Sequence, residues 1–377
     1  MRELIIDLDA VATNLKTMTT RVTRADGSRP LVMCVVKADA YGHGMIPVAR
    51  KLESVGADYL GVADISEALA LRNAGIDLPI LAWLHSPRED FQSALNAGIE
   101  LGVANLEQLE RIAAASAATG RVGRIHLKID TGLGRNGSSE ADWPGLLERT
   151  RQLAAESRVQ CVGIFSHLSC TSEADDLRQI EKFEAALVVA REQGVEFELR
   201  HLTASDGSLN YPQATYDMVR IGVALYGLSP FVDHSSADFG LVPAMTATSV
   251  VIQTKRVPAG HGVSYGYLHK TTAETTLALI PVGYAEGLPR NASAQPGAEV
   301  SINGRRYGAS SRIAMDQFVV DVGNDSVALG DEVVIFGDPA AGVPSADDWA
   351  RASDSINYEI VTRMGGRFNR RYLGAVN

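Results

Sequence analysis

VVKADAYGHG, Val35–Gly44, is the stretch that decides the fold. It completes an apolar run, Leu31 to Val36, which predicts a buried strand, and Lys37 ends that run just before a glycine-rich turn. A lysine at the end of a buried strand is costly unless its amine is used or its charge is paired. Taken alone, Lys37 is explained equally well as a Schiff-base amine or as a side chain that reaches solvent.

The chain around this stretch alternates between short apolar runs and helical patterns. The predicted strands cover residues 31–37, 59–64, 79–84, 100–105, 124–130, 161–167, 197–205 and 218–226, with helices such as 65–74, 106–118 and 173–193 between them. About eight strand–helix repeats are typical of a (β/α)8 barrel, whose catalytic groups lie at the carboxyl ends of the strands. A doubly wound open sheet is the alternative, but it needs fewer strands, and no strand is followed by a dinucleotide fingerprint.

The pattern changes after Pro230. A polar linker over 233–240 is followed by β-like runs at 246–257, 275–282, 298–302, 317–322 and 332–336, then by a short helix at 346–352 and a basic tail at 363–372. The predicted fold class is therefore α/β, with an N-terminal TIM-type barrel over 1–232 and a mostly antiparallel β domain over 233–377.

Composition narrows the classes of partner. The formal net charge of −10 argues against nucleic acid or an anionic membrane surface as a general partner. Cys34, Cys161 and Cys170 show neither metal-binding nor disulfide spacing, so we expect no metal site. We find no signal-peptide pattern and no stretch of membrane-spanning length, and we expect a soluble cytoplasmic protein.

Polar groups gather at the predicted carboxyl ends of the barrel strands. They are Lys37 and Tyr41, then Lys128, Asp130 and Arg135, then His167, then His201 and Ser205, and last Arg220, Gly222 and Val223. The loops after strands seven and eight commonly hold phosphate, which a serine hydroxyl and backbone amides would bind. A phosphate site near a strand-end lysine indicates pyridoxal phosphate. Each group alone is explained more simply as part of a turn, as a core histidine or as a surface ion pair. The prediction of a site therefore depends on all of them lying at the same end of the barrel.

These segments together resemble the alanine racemase family, pyridoxal-phosphate enzymes that interconvert L- and D-alanine. The resemblance runs through IDLDAVATNL (6–15), VVKADAYGHG, HLKIDTGLGR (126–135), FSHL (165–168), DMVRIGVALYG (217–227), VSYG (263–266), IAMDQ (313–317) and SINYE (355–359). It implies a barrel with a C-terminal β domain, and a homodimer whose active sites lie at the subunit interface. It also implies that the product D-alanine serves peptidoglycan synthesis.

The resemblance assigns roles to individual residues. Lys37 is expected to carry pyridoxal 5'-phosphate as an aldimine and to act as one base, and Tyr265 of the partner subunit as the opposing base. Arg220 is assigned to the pyridine nitrogen, and Arg135 to the cofactor phenolic oxygen and the substrate carboxylate. The residues expected to hold the phosphate are Tyr41, Ser205, Gly222, Val223 and Tyr358. Met315 and Asp316 are expected to line the substrate pocket of the partner subunit, and the residues in supporting positions are His167, His201 and Lys128, a lysine often carbamylated in the family.

The residue types suit the chemistry. Racemisation is simplest with one base on each face of a planar carbanion. Tyrosine has a pKa near 10, so positive charge from Arg220 and His167 is expected to favour its phenolate. Arginine keeps its proton, so the pyridine nitrogen beside it stays unprotonated and transamination is disfavoured. Decarboxylases of the same fold are expected to place an acidic residue there.

Three positions depart from the family pattern: Ala314, Ala204 and Asn136. These departures leave the range of substrates open, so a racemase that acts on serine or another amino acid is a close alternative function. A second alternative is a protein that binds the cofactor without catalysing a reaction. Such proteins resemble only the first domain, so the presence of the β domain and Tyr265 argues against this alternative.

Overall fold

The computed structural model describes residues 1–293 and 297–375, which form two compact units. One unit comprises residues 15–38 and 48–225; the other comprises 1–14, 39–47 and the chain from residue 226 on. Of the expected domain 233–377, residues 294–296, 376 and 377 lie outside the described residues. This division differs from the domain boundary predicted at residue 232, because residues 1–14 and 39–47 belong to the β-rich unit.

The first unit contains eight parallel strands. They are β2 (Leu31–Val35), β3 (Tyr59–Val62), β4 (Ile80–Ala82), β5 (Glu100–Val103), β6 (Gly123–Lys128), β7 (Val159–Phe165), β8 (Leu199–His201) and β9 (Met218–Ile221). Their order is β8-β7-β6-β5-β4-β3-β2-β9, and the Arg220 backbone N–H donates to the Thr203 carbonyl across the remaining gap at 3.0 Å. The predicted barrel is therefore confirmed.

Helices alternate with these strands. They are α1 (Leu8–Val22), α2 (Lys37–Tyr41), α3 (Met45–Ser54), α4 (Ile65–Asn73), α5 (Phe91–Asn96), α6 (Leu106–Thr119), α7 (Trp143–Ala155), α8 (Glu173–Glu192) and α9 (Ser205–Asn210). Every residue of β3, β4 and β5 is buried, as expected for strands covered on both faces. Inside the barrel, Met33, Tyr59, Leu81 and Met218 pack into one cluster.

The second unit is mostly antiparallel. Its strands are β1 (Glu3–Asp7), β10 (Met245–Val250), β11 (Gln253–Val257), β12 (Gly262–Val263), β13 (His269–Lys270), β14 (Thr275–Ile280), β15 (Glu299–Ile302), β16 (Arg305–Gly308), β17 (Phe318–Gly323), β18 (Glu332–Phe336) and β19 (Asn369–Leu373), with helices α10 (Ala346–Ala352) and α11 (Asn357–Arg363). The sheet orders are β16-β15-β18-β10-β1-β19, β11-β14-β17 and β12-β13. The predicted antiparallel domain is confirmed, with β1 and β19 as a parallel pair.

Several elements differ from the sequence predictions. Lys37 does not end a strand, because β2 stops at Val35 and the chain then turns. The run 246–257 divides into β10 and β11, which belong to different sheets. Strand β1 was not predicted, and its pairing with β10 and β19 places the start of the chain in the β-rich unit. Among the described helices, none is long and apolar enough to cross a membrane.

Candidate active site

Lys37 follows β2 after a single intervening residue and begins α2. Burial lowers the pKa of its ammonium group, and the nearby charge of Arg135 lowers it further. The carboxylate of Glu67 opposes this shift, while Arg220 adds to it. The side chain is therefore poised to lose its proton more readily than an ordinary lysine, as a nucleophilic amine requires.

The turn that follows this lysine is left-handed. Four successive residues have φ between 52° and 54°: Ala38, Asp39, Ala40 and Tyr41. This conformation costs about 1–2 kcal/mol per residue for L-amino acids. Hydrogen bonds compensate in part, since the Ala38 N–H donates to Glu67 at 2.7 Å and the Gly44 N–H donates to the Asp39 carbonyl at 2.8 Å. Strained backbone of this kind clusters at functional sites, and here it lies beside the desolvated amine of Lys37.

Arg220, in β9, is buried and almost fully hydrogen-bonded. Its Nη1 donates to Nδ1 and to the carbonyl oxygen of His201, at 3.1 and 3.0 Å. Its Nη2 donates to the carbonyls of Ser166 and Leu202, at 2.7 and 2.9 Å, and to His167 Nδ1 at 3.1 Å. Within residues 1–293 and 297–375, the Nε–H has no acceptor, so it is the one donor left for a ligand.

The two histidines beside this arginine are neutral. Burial lowers the pKa of His167 to about 2, helped by the charge of Arg220, and holds the pKa of His201 well below its usual value. The expectation that His167 adds positive charge is therefore corrected, because a desolvated imidazole among cations does not bind a second proton. Since Nδ1 of His167 accepts from Arg220, its Nε2 carries the proton and is a donor.

Cations dominate this end of the barrel. Lys128, the last residue of β6, has its Nζ 5.3 Å from the centre of the Phe165 ring, and Arg220 lies over the same ring at 5.7 Å. Burial lowers the pKa of Lys128 to about 8, with further lowering from Arg220 and Arg135. Arg135 follows a turn in which Asp130 accepts from two backbone amides. The site thus presents positive charge to an anionic ligand.

The loops after β8 and β9 meet at Ser205. Its hydroxyl oxygen accepts from the Gly222 N–H at 3.1 Å, and both residues are buried. Val223 begins a short 3₁₀ turn, so its amide has no acceptor within that turn. The predicted phosphate-binding residues of the barrel are therefore adjacent.

Tyr41 and Tyr358 belong to the β-rich unit. Their ring centres are 6.2 Å apart, and Tyr41 also packs against Tyr226 at 4.8 Å. Burial raises the pKa of Tyr41, so its hydroxyl stays protonated and can donate.

Tyr265, Met315 and Asp316 also belong to the β-rich unit, where all three are exposed. Tyr265 is 74% exposed and lies in a strained turn, since Ser264 has φ 56° and Tyr267 has φ 45°. Met315 is 53% exposed, and Asp316 forms an ion pair of 2.8 Å with Arg367. Of the two large exposed side chains, only Tyr265 lies in such a strained turn, and strained backbone clusters at functional sites.

Comparison with known proteins gives full-length matches. The family model for the alanine racemase N-terminal domain matches residues 6–230, and the C-terminal domain model matches 244–372. The alanine racemase of Frankia casuarinae is 48% identical over 98% of this chain and 95% of its own length. The chain belongs to the alanine racemase family.

Solved structures of alanine racemases agree with this assignment. The enzyme from D-cycloserine-producing Streptomyces lavendulae has a TM-score of 0.96 and 44% identity, covering 100% of this chain and 97% of that one. The enzyme from Streptomyces coelicolor has a TM-score of 0.95 and 41% identity, with coverage of 99% and 98%. Alanine racemases are isomerases that act on amino acids, and the family is dependent on pyridoxal phosphate.

Two buried residues of the barrel, which are linked to His201 by hydrogen bonds, were not predicted from the sequence. Glu100, at the start of β5, and His126, within β6, are both buried. His126 Nε2 lies 2.8 Å from Glu100, and its Nδ1 lies 2.9 Å from His201. A carboxylate opening an apolar strand and a histidine inside another were the available signals.

Proposed function

We propose that this protein interconverts L- and D-alanine with pyridoxal 5'-phosphate at the carboxyl end of the barrel, supplying D-alanine for peptidoglycan. The observation that carries the proposal is the guanidinium of Arg220, whose Nη donors are all paired while its Nε–H has no acceptor among the residues that the structure describes. A buried donor that cannot lose its proton suits an unprotonated ring nitrogen. Membership of the alanine racemase family over the whole chain supports the substrate.

The residues present fit the cofactor. Lys37 offers a desolvated amine for its aldehyde, and the Ser205 hydroxyl and the Val223 amide offer donors to its phosphate. The Gly222 amide, which donates to the Ser205 oxygen, would exchange that acceptor for a phosphate oxygen. Tyr41 and Tyr358 would add two phenolic donors. When bound, pyridoxal phosphate withdraws electrons and makes the Cα proton of the amino acid acidic.

The chain's own residues then move and hold protons. The Lys37 amine takes or returns the Cα proton on one face, and the Tyr265 phenolic oxygen of the partner subunit does so on the other. His167 steadies the phenolate through its Nε2–H rather than through a charge, and Arg220 supplies the positive charge. Arg135 binds the substrate carboxylate, while Met315 and Asp316 of the partner subunit restrict the pocket to a small side chain.

A homodimer follows from this assignment. Tyr265 and Met315 are exposed in the single chain, so they need a second subunit to exclude water around them. We also propose a cytoplasmic location, because Cys34, Cys161 and Cys170 are all free thiols, which suits a reducing compartment.

The direct experiment is to load the protein with cofactor, incubate it separately with L-alanine and L-serine, and separate the enantiomers by chiral chromatography. We expect rapid formation of D-alanine and little D-serine. Comparable D-serine would move the assignment to a broader racemase. Absence of both products would contradict the proposal, and Lys37→Ala is the control for non-enzymatic conversion.

A further inference from the structure

A chain of buried polar groups runs from Arg220 away from the site. Arg220 Nη1 contacts His201 Nδ1 at 3.1 Å, and His201 Nε2 contacts His126 Nδ1 at 2.9 Å. His126 Nε2 then contacts Glu100 Oε2 at 2.8 Å. These four residues, which we call the buried relay, are each no more than 5% exposed.

The direction of every hydrogen bond in the buried relay is determined by its ends. Arginine only donates, so Nδ1 of His201 must accept. Burial and the charge of Arg220 keep His201 neutral, so its proton is on Nε2 and is donated to His126. His126 Nδ1 is then an acceptor, and its Nε2–H points to the carboxylate of Glu100.

The far end of the buried relay is an ionised carboxylate. Burial opposes ionisation of Glu100, but the hydrogen bonds from His126, Tyr59 and Arg124 outweigh it and keep the pKa of that carboxyl below its usual value. Tyr59 donates to Oε2 at 2.5 Å and Arg124 to Oε1 at 2.8 Å. A buried cation and a buried anion are thus joined through two imidazoles, and both nitrogens of each ring have a hydrogen-bond partner.

The absence of a side chain at Gly163 leaves the space that the His126–His201 hydrogen bond occupies. A Cβ added at Gly163 in β7 would lie 2.4 Å from His126 Nδ1 and 2.9 Å from the Leu199 carbonyl oxygen. The rings of His201 and Phe165 stack at 4.9 Å with an interplanar angle of 2°. Any side chain at position 163 would therefore displace the His126–His201 hydrogen bond.

We propose that Glu100 and His126 are positioning residues for racemisation: they hold His201 in the tautomer that accepts from Arg220, and so direct the free Nε–H of Arg220. The proposal rests on the proposed function, since Arg220 is the group assigned there to the pyridine nitrogen of the cofactor. Glu100 and His126 would act on that nitrogen only through His201 and Arg220. Their effect is to keep the guanidinium oriented, which keeps the ring nitrogen unprotonated and limits transamination.

The test compares Glu100→Gln with Asp176→Asn, a matched control. Asp176 is 4% exposed and accepts from the Tyr211 hydroxyl and the Cys170 N–H, so it is a buried carboxylate of the same unit outside the buried relay. Two measurements are made on each cofactor-loaded protein. One is the tautomer of His201 by NMR with isotope-labelled histidine; the other is the ratio of transamination to racemisation, from the absorbance of the pyridoxamine form.

We expect His126 and His201 of the unchanged protein to be neutral with the proton on Nε2. In Glu100→Gln, the His201 resonances shift and the transamination ratio rises about 10-fold, as for loss of a hydrogen bond to a charged group. In Asp176→Asn, neither changes. Adding His126→Phe to Glu100→Gln gives no further rise, because both act through one chain of contacts.

Two results would overturn the proposal: a doubly protonated or Nδ1-protonated His201 in the unchanged protein, or equal effects of the two variants on the ratio. Failure of the proposed function is separate, because it would appear as absence of D-alanine from the unchanged protein. The NMR tautomers would still decide whether the buried relay has the stated direction.

Discussion

At the scale of single residues, the site combines cations that are desolvated to different degrees. Lys37 and Lys128 both have lowered pKa values, first because of burial and then because of neighbouring arginines. Arg220 is also desolvated, with its pKa lowered to about 10, yet remains charged at neutral pH. Arg220 can therefore hold a permanent positive charge, while the Lys37 amine, which loses its proton readily, suits the proposed proton transfer.

Lys128 should destabilise the protein at neutral pH. Its pKa falls from 10.5 in the unfolded chain to about 8 in the fold, so the unfolded chain binds more protons between these values and stability rises with pH across this window. Lys128→Met should therefore raise the free energy of unfolding at pH 7 by about 3 kcal/mol. This gain should shrink from pH 8 to pH 10.5, as measured by denaturant unfolding in CO₂-free buffer. A gain independent of pH would refute the assignment.

Tyr265 should act on one substrate face only. Tyr265→Phe removes the phenolic oxygen but keeps the ring, so we expect exchange of the Cα proton of L-alanine with deuterated solvent to fall about 100-fold or more. Exchange from D-alanine, assigned to Lys37, should be largely retained. Tyr267→Phe, a neighbouring exposed tyrosine, is the control. Equal loss of exchange from both enantiomers would contradict the two-base assignment.

At the scale of elements, the left-handed turn of α2 is the most unusual feature. The buried strand β2 is followed by a left-handed helical turn, in which four successive residues have positive φ values. Only Gly42 and Gly44 in this stretch are glycines, so L-residues bear the strain. The composition of VVKADAYGHG predicts a turn, but not its hand, because alanine and aspartate strongly prefer the right-handed region.

Glycine at position 38 should therefore stabilise the fold. Ala38 is exposed with φ 52°, and Ala38→Gly should stabilise by up to about 1 kcal/mol, because the cost of left-handed backbone exceeds the entropic cost of glycine. Ala114→Gly, in the right-handed helix α6, should instead destabilise by about 1 kcal/mol. Thermal unfolding of both variants checks the opposite signs. Destabilisation by both would show that the turn is not strained.

At the scale of the whole molecule, the proposed catalytic and substrate-binding residues are distributed over the two units. The barrel unit contains Lys37, Arg135 and Arg220, whereas the β-rich unit contains Tyr265 and Met315. If the opposing base comes from a second subunit, each site needs parts of two chains, and the dimer is required for activity. This arrangement is testable without a structure of the dimer.

Mixing inactive variants should restore activity. Lys37→Ala and Tyr265→Ala protomers are each expected to be inactive as homodimers. After subunit exchange, a mixed dimer contains one site in which both residues are intact, so about a quarter of all sites should become active under random pairing. The racemisation rate of the mixture measures this recovery. No recovery, with exchange verified by differently tagged subunits, would place both bases on one chain.

Sequence by itself determined the barrel, the β domain and the residues at the strand ends, because apolar periodicity records which segments are buried, and strand ends in a barrel converge. Tertiary structure alone decided the rest. Glu100 and His126 are distant in sequence from Arg220, and only the barrel brings them into one chain of hydrogen bonds. The neutrality of His167 and the pairing of β1 with β10 likewise depend on burial and long-range contacts, which no local pattern encodes.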